Sequence, residues 1–255
     1  MSREGSVYVY GVLAHDDAKS LPEAGVAGST VRTVRHSELA ALVSDVDGGP
    51  LAAAREMRAH WRVLEEASGG TTTVLPIRFG TVMESEAAVR ERLLEPNEER
   101  LTVLLRELSG RAQLSLKSHY DEDRLLREVV DSSPDIVAQR ERVRRLPGDA
   151  AYYDRIRLGE LVASQVERRK QADAELALER LEHLAVAVRE EAPASPEAGF
   201  HLAFLVERER IDEFSTAVGE LAKEIGERTR LRYLGPLPPY SFAEANLTAG
   251  SAAWA

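Results

Sequence analysis

The 255-residue sequence contains no cysteine, few aromatic residues and only four lysines among its 33 basic side chains. The absence of cysteine excludes disulfide bonds, thiolate catalysis, iron–sulfur clusters and zinc sites built from cysteine. Aspartate and glutamate outnumber lysine and arginine by 43 to 33, which gives a formal net charge of −10. Because such a charge disfavours non-specific contact with nucleic acid and with anionic membranes, we expect neither as a partner.

Long apolar segments are also missing. No apolar run approaches the ~20 residues that a membrane-spanning helix needs. The N-terminus lacks the basic start and the apolar stretch of a secretory signal. Apolar residues nevertheless make up 44% of the chain, which is enough to bury a core. These features predict a globular, cytoplasmic protein of the α+β class.

The first part of the chain has the pattern of a small α+β module. Strands are predicted at 7–13, 31–34 and 39–46. A helix is predicted over 51–68, because its apolar residues recur at steps of three and four: Leu51, Ala54, Met57, Trp61 and Leu64. A strand over 73–82 follows, and it should lie at a sheet edge, because Pro76 cannot donate a ladder hydrogen bond.

Further helices begin at Ser85, a good N-cap residue, and at Glu98. Ser109 and Gly110 end the second of these helices, and we place a domain boundary there. The first domain is therefore predicted to span 1–108.

The second domain is predicted to span 109–245. Its expected elements are a strand at 112–120, helices at 122–130 and 135–145, a long helix from Tyr152 to about Glu191, a strand at 200–206, a helix at 211–226 and a strand at 230–234. Residues 235–240 should be extended because of their prolines. Residues 246–255 carry no charged side chain and are predicted to form a flexible tail. A split βαβ sandwich of the ferredoxin-like kind fits both halves.

Two acidic segments raise the question of a metal site. His119, Asp121 and Asp123 sit where a strand meets a helix, so carboxylates are expected there as helix caps. The loop that begins at His15 has no second ligand pair nearby. We therefore predict no metal ion.

Motifs for catalysis and for nucleotide binding are absent from the sequence. There is no Gly-x-Ser-x-Gly elbow, no Walker A loop and no Gly-x-Gly-x-x-Gly turn. His60, beside Trp61 on a predicted helix, is interpreted as a structural histidine with its hydrogen bonds satisfied. No catalytic residue, cofactor or small-molecule ligand is therefore expected, and we predict that the protein is not an enzyme.

A basic cluster lies in the helix at 135–145, and its members are Arg140, Arg142, Arg144 and Arg145. Such a cluster can hold an acidic partner or a nucleic acid. It lacks interleaved aromatic residues, however, and it belongs to an acidic chain. We therefore interpret it as a solvated helix face.

Two segments are candidates for binding another protein. In 75–81, Arg78 and Phe79 belong either to an ordinary edge strand or to an edge that offers backbone groups and a cation to a partner. Segment 235–242 is either a rigid strap against the body of the protein or a docking segment. The candidate partner-binding residues are Arg78, Phe79, Pro238, Pro239, Tyr240 and Phe242.

Four segments taken together resemble the gas vesicle protein family GvpL/GvpF. They are Tyr8 to Val12, Val74 to Thr81, Leu108 to Lys117 and Gly235 to Ala243, in the family's order over nearly the whole chain. The family usually has an aromatic residue where this chain has Ile77.

The resemblance implies two α+β domains, of which the first is a ferredoxin-like variant. It implies a non-enzymatic role in building gas vesicles, with a cytoplasmic location on the vesicles themselves. The partners it implies are the small hydrophobic wall protein of the GvpA type and other accessory Gvp proteins. The family has no catalytic residues to transfer to this chain.

On this basis the protein is expected to be an assembly or nucleation factor, or a minor vesicle component, and an acidic binder that shields an apolar wall subunit. A permanent structural component of the vesicle wall is the alternative. A more distant alternative is a small-molecule enzyme on a ferredoxin-like scaffold, with a pocket around His119, Asp121 and Asp123.

Overall fold

The computed structural model describes residues 6–17, 24–46, 54–69, 72–146, 148–192 and 198–247. By its internal contacts the chain divides into two units, one made of residues 1–113 with 236–255 and the other of residues 114–235. Each unit contains one β-sheet and its own helices.

The elements up to the first boundary are β1 (Val7–Ala14), β2 (Arg32–His36), β3 (Leu39–Asp45), α1 (Ala54–Ala67), β4 (Val74–Pro76), β5 (Val82–Met83), α2 (Glu86–Ala88, continued by a π-helical turn, Val89–Leu94) and α3 (Glu98–Leu108). The elements that follow are β6 (Arg111–Tyr120), α4 (Glu122–Ser132), α5 (Pro134–Arg145), α6 (Tyr152–Leu181), β7 (Ala187–Glu191), β8 (Ala198–Glu207), α7 (Ile211–Ile225), β9 (Thr229–Leu237) and α8 (Tyr240–Leu247).

The first sheet has the order β2-β3-β1-β4, and β5 also pairs with β1. Its strand pairs are antiparallel. Gly11 allows β1 to pack tightly, because a Cβ there would lie 2.7 Å from the Leu75 carbonyl oxygen and 2.9 Å from the Leu64 side chain. The strand order and the single helix between β3 and β4 make this unit the ferredoxin-like variant that was expected.

The predicted strand over 73–82 is interrupted. Pro76 ends β4 at the sheet edge, as its missing N–H predicts. The chain then turns through 78–81, where the Thr81 N–H donates to the Arg78 carbonyl at 3.2 Å and Gly80 has a φ of +89°. Only glycine adopts that backbone conformation readily, so the alternating pattern is broken there. The helix predicted to begin at Ser85 is confirmed, since the Ser85 hydroxyl caps it.

The second sheet has the order β7-β8-β6-β9, which is again the ferredoxin-like order. The predicted helix from Tyr152 to about Glu191 is too long. It ends at Leu181, a short 3-10 turn follows, and β7 pairs antiparallel with β8. Ala185 and Val188 fit a helical step, but they also suit a strand, and the sheet needs this edge strand to complete its order.

The C-terminal segment departs from the expected division into domains. Residues 236–245 were assigned to the second domain, but the structure groups the chain from Pro236 onward with the first unit. The extended stretch ends at Pro239, and α8 follows where no helix was predicted. The tail predicted at 246–255 lies, from residue 248, outside the described residues. Among the helices of the described ranges, none is long and apolar enough to cross a membrane.

Candidate partner-binding surface

His60 lies buried on the inward side of α1. Each of its two ring nitrogens forms a hydrogen bond with a tyrosine hydroxyl. Nδ1 is 2.8 Å from the Tyr8 hydroxyl of β1, and Nε2 is 3.0 Å from the Tyr240 hydroxyl at the start of α8. The Gly80 N–H donates to the Tyr8 oxygen at 3.0 Å. The histidine therefore joins three elements of the first unit, which confirms its predicted structural role.

Burial lowers the pKa of His60 to about 4, an effect that a backbone hydrogen bond with Ile77 partly opposes. The ring is therefore neutral at pH 7, with one nitrogen donating and the other accepting. Burial also raises the pKa of Tyr8 and of Tyr10. The centre of this unit is thus an uncharged hydrogen-bonded cluster.

Tyr10 extends the same cluster along β1. Its hydroxyl lies 2.7 Å from Ser44 Oγ and accepts a hydrogen bond from the Val26 N–H at 2.7 Å. Its ring is stacked on His60, with 5.7 Å between the ring centroids. The hydroxyl groups of both β1 tyrosines thereby have hydrogen-bond partners inside an apolar core.

The C-terminal segment packs onto this cluster as a strap. Pro238, Pro239 and Phe242 are buried, and Tyr240 is half-buried. The Ser241 N–H donates to the buried Gln113 side-chain oxygen at 2.8 Å. Three of the predicted partner-binding residues are therefore buried within the first unit. Of the four candidate residues in the strap, Tyr240 alone is partly exposed and could contact a partner.

An aromatic surface lies above the cluster, and we define it by four residues: Met57, Trp61, Phe79 and Tyr240. The Tyr240 and Trp61 rings are in contact, with 4.4 Å between their centroids. Trp61 is 39% exposed, and Met57, one turn earlier on α1, is 46% exposed. Phe79 is half-buried, edge-on to His60 at 5.6 Å.

Met57 and Trp61 were not predicted as surface residues. The sequence placed them on the same apolar stripe as Leu64, but the buried residues of α1 are His60, Val63, Leu64 and Ala67. These four residues are separated by steps of three, one and three, which is the spacing of one side of a helix. The pattern is visible in the sequence only if the polar His60 is counted as a core residue. Trp61 then lies about 100° away, on the open side of the helix.

Arg78 is exposed, and it is next in sequence to a residue of the aromatic surface. It directly precedes Phe79 and follows the edge strand β4. The structure thus joins an exposed cation, a short sheet edge and an aromatic surface within the first unit. A partner-binding role for Arg78, Phe79 and Tyr240 stays a prediction.

The four sequence segments that carry the family resemblance all contribute to this region. The first supplies Tyr8, the second supplies Phe79 and Gly80, the third supplies Gln113, and the fourth supplies Tyr240. Tyr8 and Tyr240 bond directly to His60, Gly80 bonds to Tyr8, and Gln113 bonds to Ser241 in the strap.

The acidic segment at the start of α4 is used for capping. Asp121 accepts a hydrogen bond from the Arg124 N–H at 3.0 Å, which confirms the capping interpretation, and His119 and Asp123 are exposed. In the part of the chain that the structure describes, no three His, Asp or Glu side chains converge to hold a metal ion.

A second histidine, His201 on β8, stands in a chain of polar contacts that the sequence did not reveal. Its Nε2 lies 3.0 Å from Ser115 Oγ, and its Nδ1 lies 3.1 Å from a Glu191 carboxylate oxygen. This order of groups matches a serine nucleophile, a base and an orienting acid. Ser115 is only 3% exposed, however, so the arrangement cross-links three strands and does not present its hydroxyl to a substrate.

Comparison with known proteins gives a consistent result. The profile of the family described as "Gas vesicle synthesis protein GvpL/GvpF" matches residues 6–244. Gas vesicle protein F of a Streptomyces species is 37% identical over 94% of this chain and 100% of its own length. Gas vesicle protein F of Microcystis aeruginosa is 30% identical over 93% of this chain and 98% of its own length.

Two crystal structures are similar to this fold. GvpF from Anabaena has a TM-score of 0.81 at 28% identity, over 94% of this chain and 98% of that chain. GvpF from Microcystis aeruginosa has a TM-score of 0.75 at 28% identity, over 93% of this chain and 98% of that chain.

Proposed function

This chain belongs to the gas vesicle synthesis protein GvpL/GvpF family, and from that premise we propose that it assists gas vesicle assembly by binding the small apolar wall protein. The contact is assigned to the aromatic surface of the first unit together with Arg78. The observation that carries this assignment is the hydrogen-bonded cluster of Tyr8, His60 and Tyr240, which lies beside the exposed Trp61 ring and the half-buried Tyr240 ring.

The chemistry of this surface suits an apolar partner. Aromatic residues and methionine are enriched in the cores of protein interfaces, because aromatic rings bury a large area and the flexible methionine side chain adapts to an irregular partner. A wall subunit with a strongly apolar surface aggregates unless that surface is covered. A chain of net charge −10 that binds such a subunit keeps the complex soluble.

Arg78 offers a second mode of contact, because it is exposed immediately after β4, whose own three residues are buried. Its guanidinium supplies a cation that fixes the orientation of a partner carboxylate or carbonyl. The buried prolines and Phe242 hold the strap in place, so the surface is preformed before binding.

We take the role to be non-enzymatic. Both nitrogens of His60 are engaged with tyrosines, and the serine beside His201 is buried, which supports this view. Other accessory Gvp proteins are proposed as further partners. Retention in the finished vesicle distinguishes a structural component from a transient factor, and stoichiometric recovery in washed vesicles measures it.

The test is affinity for the purified wall protein, measured by pull-down after co-expression. Trp61→Ser should weaken binding about tenfold or more, as expected for a central aromatic contact. Arg78→Ala and Tyr240→Ala should also weaken it, and circular dichroism should show that each variant is folded. Val103→Ser is the matched control, because Val103 is an exposed apolar residue of α3 in the same unit. Unchanged affinity in Trp61→Ser, Arg78→Ala and Tyr240→Ala would reject the proposed surface.

A further inference from the structure

The strand β9 lies at one edge of the second sheet, and this edge is open. Among the described residues its only strand neighbour is β6, at the end of the order β7-β8-β6-β9. No residue from Arg230 to Leu237 is buried, whereas all three residues of β4, an edge strand of the first sheet, are buried. Every second residue of an edge strand directs its N–H and C=O away from the sheet. The second unit therefore presents backbone groups to which another strand can add.

The part of this edge that is available for pairing is Thr229 to Leu234. Pro236 has no N–H to donate, and Gly235 just before it has a φ of +148°, which interrupts the regular strand backbone. Leu231 and Tyr233 pack against the main core of the second unit. Because side chains alternate along a strand, the residues between and before them lie on the opposite, outer face of the sheet.

The outer face beside the edge is basic. Arg230 and Arg232 lie on it and are exposed. Leu114 and Leu116 of β6 belong to the core, so Lys117, the next residue of β6, lies on the outer face as well, and it is half-buried. These three cations have no ion pair among the described residues. The strand β9 itself contains no aspartate or glutamate.

The acids close to this face in the sequence are already engaged. Asp121, which follows β6, and Glu227, which precedes β9, both pair with Arg124. Further across the outer face, the Glu191 carboxylate lies 3.1 Å from the His201 ring. The two acids in the first turn of α4 belong to that helix and not to the sheet. The charge beside the edge of β9 is therefore positive, although the chain as a whole is acidic.

We propose that the edge of β9 binds an extended acidic segment of another protein. The segment adds as a further strand, and its backbone bonds to the outward N–H and C=O groups of residues 229–234. Carboxylates at every second position of the segment then lie opposite Arg230 and Arg232, and facing residues of opposite charge stabilise a strand pair. Apolar residues at the positions between them extend the core side of the sheet beside Leu231 and Tyr233.

A second copy of this chain fits the edge less well. In an antiparallel pair of two β9 strands centred on the arginines, the outer faces coincide, so Arg230 and Arg232 of the two copies face each other. Like charges directly opposite each other destabilise a strand pair. The arginines thus protect the edge from self-association, as charged residues on edge strands commonly do, and leave it open to a strand that carries carboxylates.

The charge pattern is specific to this edge. The other edge strand of the same sheet, β7, has Arg189 followed by Glu190 and Glu191, so it favours neither sign of charge in a partner. A nucleic acid has no amide backbone to pair with β9, and the net charge of −10 disfavours it. The proposed site shares no residue with the aromatic surface, so it does not depend on the proposed wall-protein contact.

The experiment uses the full chain and labelled synthetic peptides of about eight residues, which at ~3.3 Å per residue are long enough to cover residues 229–234. Glutamate alternates with valine in one peptide, and lysine alternates with valine in the other. Fluorescence anisotropy should show binding of the glutamate peptide, weakened by salt, and no binding of the lysine peptide. The glutamate peptide with methylated backbone nitrogens cannot donate hydrogen bonds to the edge, and it should lose most of its affinity.

A charge reversal tests the role of the arginines. Arg230→Glu with Arg232→Glu should weaken binding of the glutamate peptide about tenfold or more and allow binding of the lysine peptide. Arg145→Glu with Arg157→Glu is the matched control, because it makes the same change of charge at exposed arginines of α5 and α6. It should leave both affinities unchanged, and circular dichroism should show that both double variants are folded.

Several outcomes would overturn the proposal. Equal binding of the glutamate and lysine peptides, or binding of neither, would show that the edge does not select an acidic strand. Undiminished affinity of the methylated peptide would show attraction of charges without strand addition. A single-stranded RNA that binds as tightly as the glutamate peptide would identify the face as a site for polyanions. A dimer in sedimentation that the glutamate peptide dissociates would place a second copy on the edge.

Discussion

The two units share one strand order but differ in what connects their first two strands. In the first unit, β1 is followed by β2 with only 3-10 turns described between them. In the second, the three helices α4, α5 and α6 stand between β6 and β7. A ferredoxin-like sheet therefore tolerates either connection, because the strand order and the helix before the last strand already enclose a core.

The units also differ in the polar groups that they bury. The first surrounds the neutral His60 with tyrosines. The second buries Asp173 of α6, which receives hydrogen bonds from Arg228 at 2.5 and 3.2 Å and from the Tyr120 hydroxyl at 3.1 Å. Arg228 also lies 3.5 Å from Glu128 of α4, so this charged cluster ties the inserted helices to the sheet.

This difference determines how each unit should respond to change. The stability of a unit with a neutral cluster depends on pH through the protonation of its histidine. The stability of a unit with a buried ion pair depends on both partners being present, since a single charge left in the interior is costly. Four predictions follow from the contrast, beginning with the largest effect.

Asp173→Ala should destabilise the second unit by about 3–5 kcal/mol, because it leaves Arg228 without its buried partner. Hydrogen exchange measured by mass spectrometry should show faster exchange in α6 and β6. Amides of β1 and β3 should change much less, and this comparison is the internal control. Equal acceleration in both units would mean that the buried pair does not act locally.

Acid should weaken the first unit through His60. Its pKa is about 4 in the folded chain and about 6.5 when unfolded, so the unfolded state binds more protons between these values. The contribution of the neutral His60 to the free energy of unfolding is therefore fully present above pH 6.5. It is lost as the pH falls toward 4, and the loss is on the order of 3 kcal/mol.

The free energy of unfolding, measured by urea from pH 4 to 7, checks this dependence. His60→Gln removes the titration but keeps a polar side chain, so its stability should vary less over the same range. Burial also lowers the pKa of His201, which acts in the same direction, and His201→Gln is the comparison for the second unit. If wild type and His60→Gln have parallel pH curves, the histidine is not responsible.

Tyr240→Phe should cost about 1 kcal/mol, the typical value of one hydrogen bond. We expect faster hydrogen exchange in α8, since the phenylalanine keeps the ring contact with Trp61 but loses the hydrogen bond to His60. Tyr233→Phe is the matched deletion in the second unit, because its hydroxyl lies 3.0 Å from Ser215 Oγ. Its effect should appear in α7 and leave α8 unchanged.

Local patterns predicted most of the strands and helices, but not how distant residues meet. Val7 to Leu13 was identified by its β-branched and aromatic residues, and Ser85 by its capping chemistry. The end of α6 was missed because Val188 satisfies either periodicity until its strand partner is known. The contact of His60 with Tyr240 spans 180 positions, and no local propensity encodes such a pairing.

The candidate surface illustrates the same limit. Arg78 and Tyr240 were predicted from unusual neighbours in the sequence, such as proline and glycine. Trp61 was assigned to the core, because a helical period gives the spacing of apolar residues but not which side of the helix faces the sheet. The burial of His60 together with Val63, Leu64 and Ala67 shows that direction, and a search for apolar spacing alone leaves the polar His60 out.

Glu224→Ala should have the smallest effect on the free energy of unfolding, because exposed ion pairs contribute little to stability. Glu224 accepts two hydrogen bonds from Arg180, at 3.0 and 3.1 Å, in a geometry similar to that of Asp173 with Arg228. The two pairs differ in burial, because Glu224 and Arg180 are exposed to water that screens their attraction. Urea unfolding at low and high salt should show that the small loss in Glu224→Ala vanishes with salt, whereas the loss in Asp173→Ala persists. A loss in Glu224→Ala as large as that in Asp173→Ala would show that bidentate geometry, and not burial, sets the strength of these pairs.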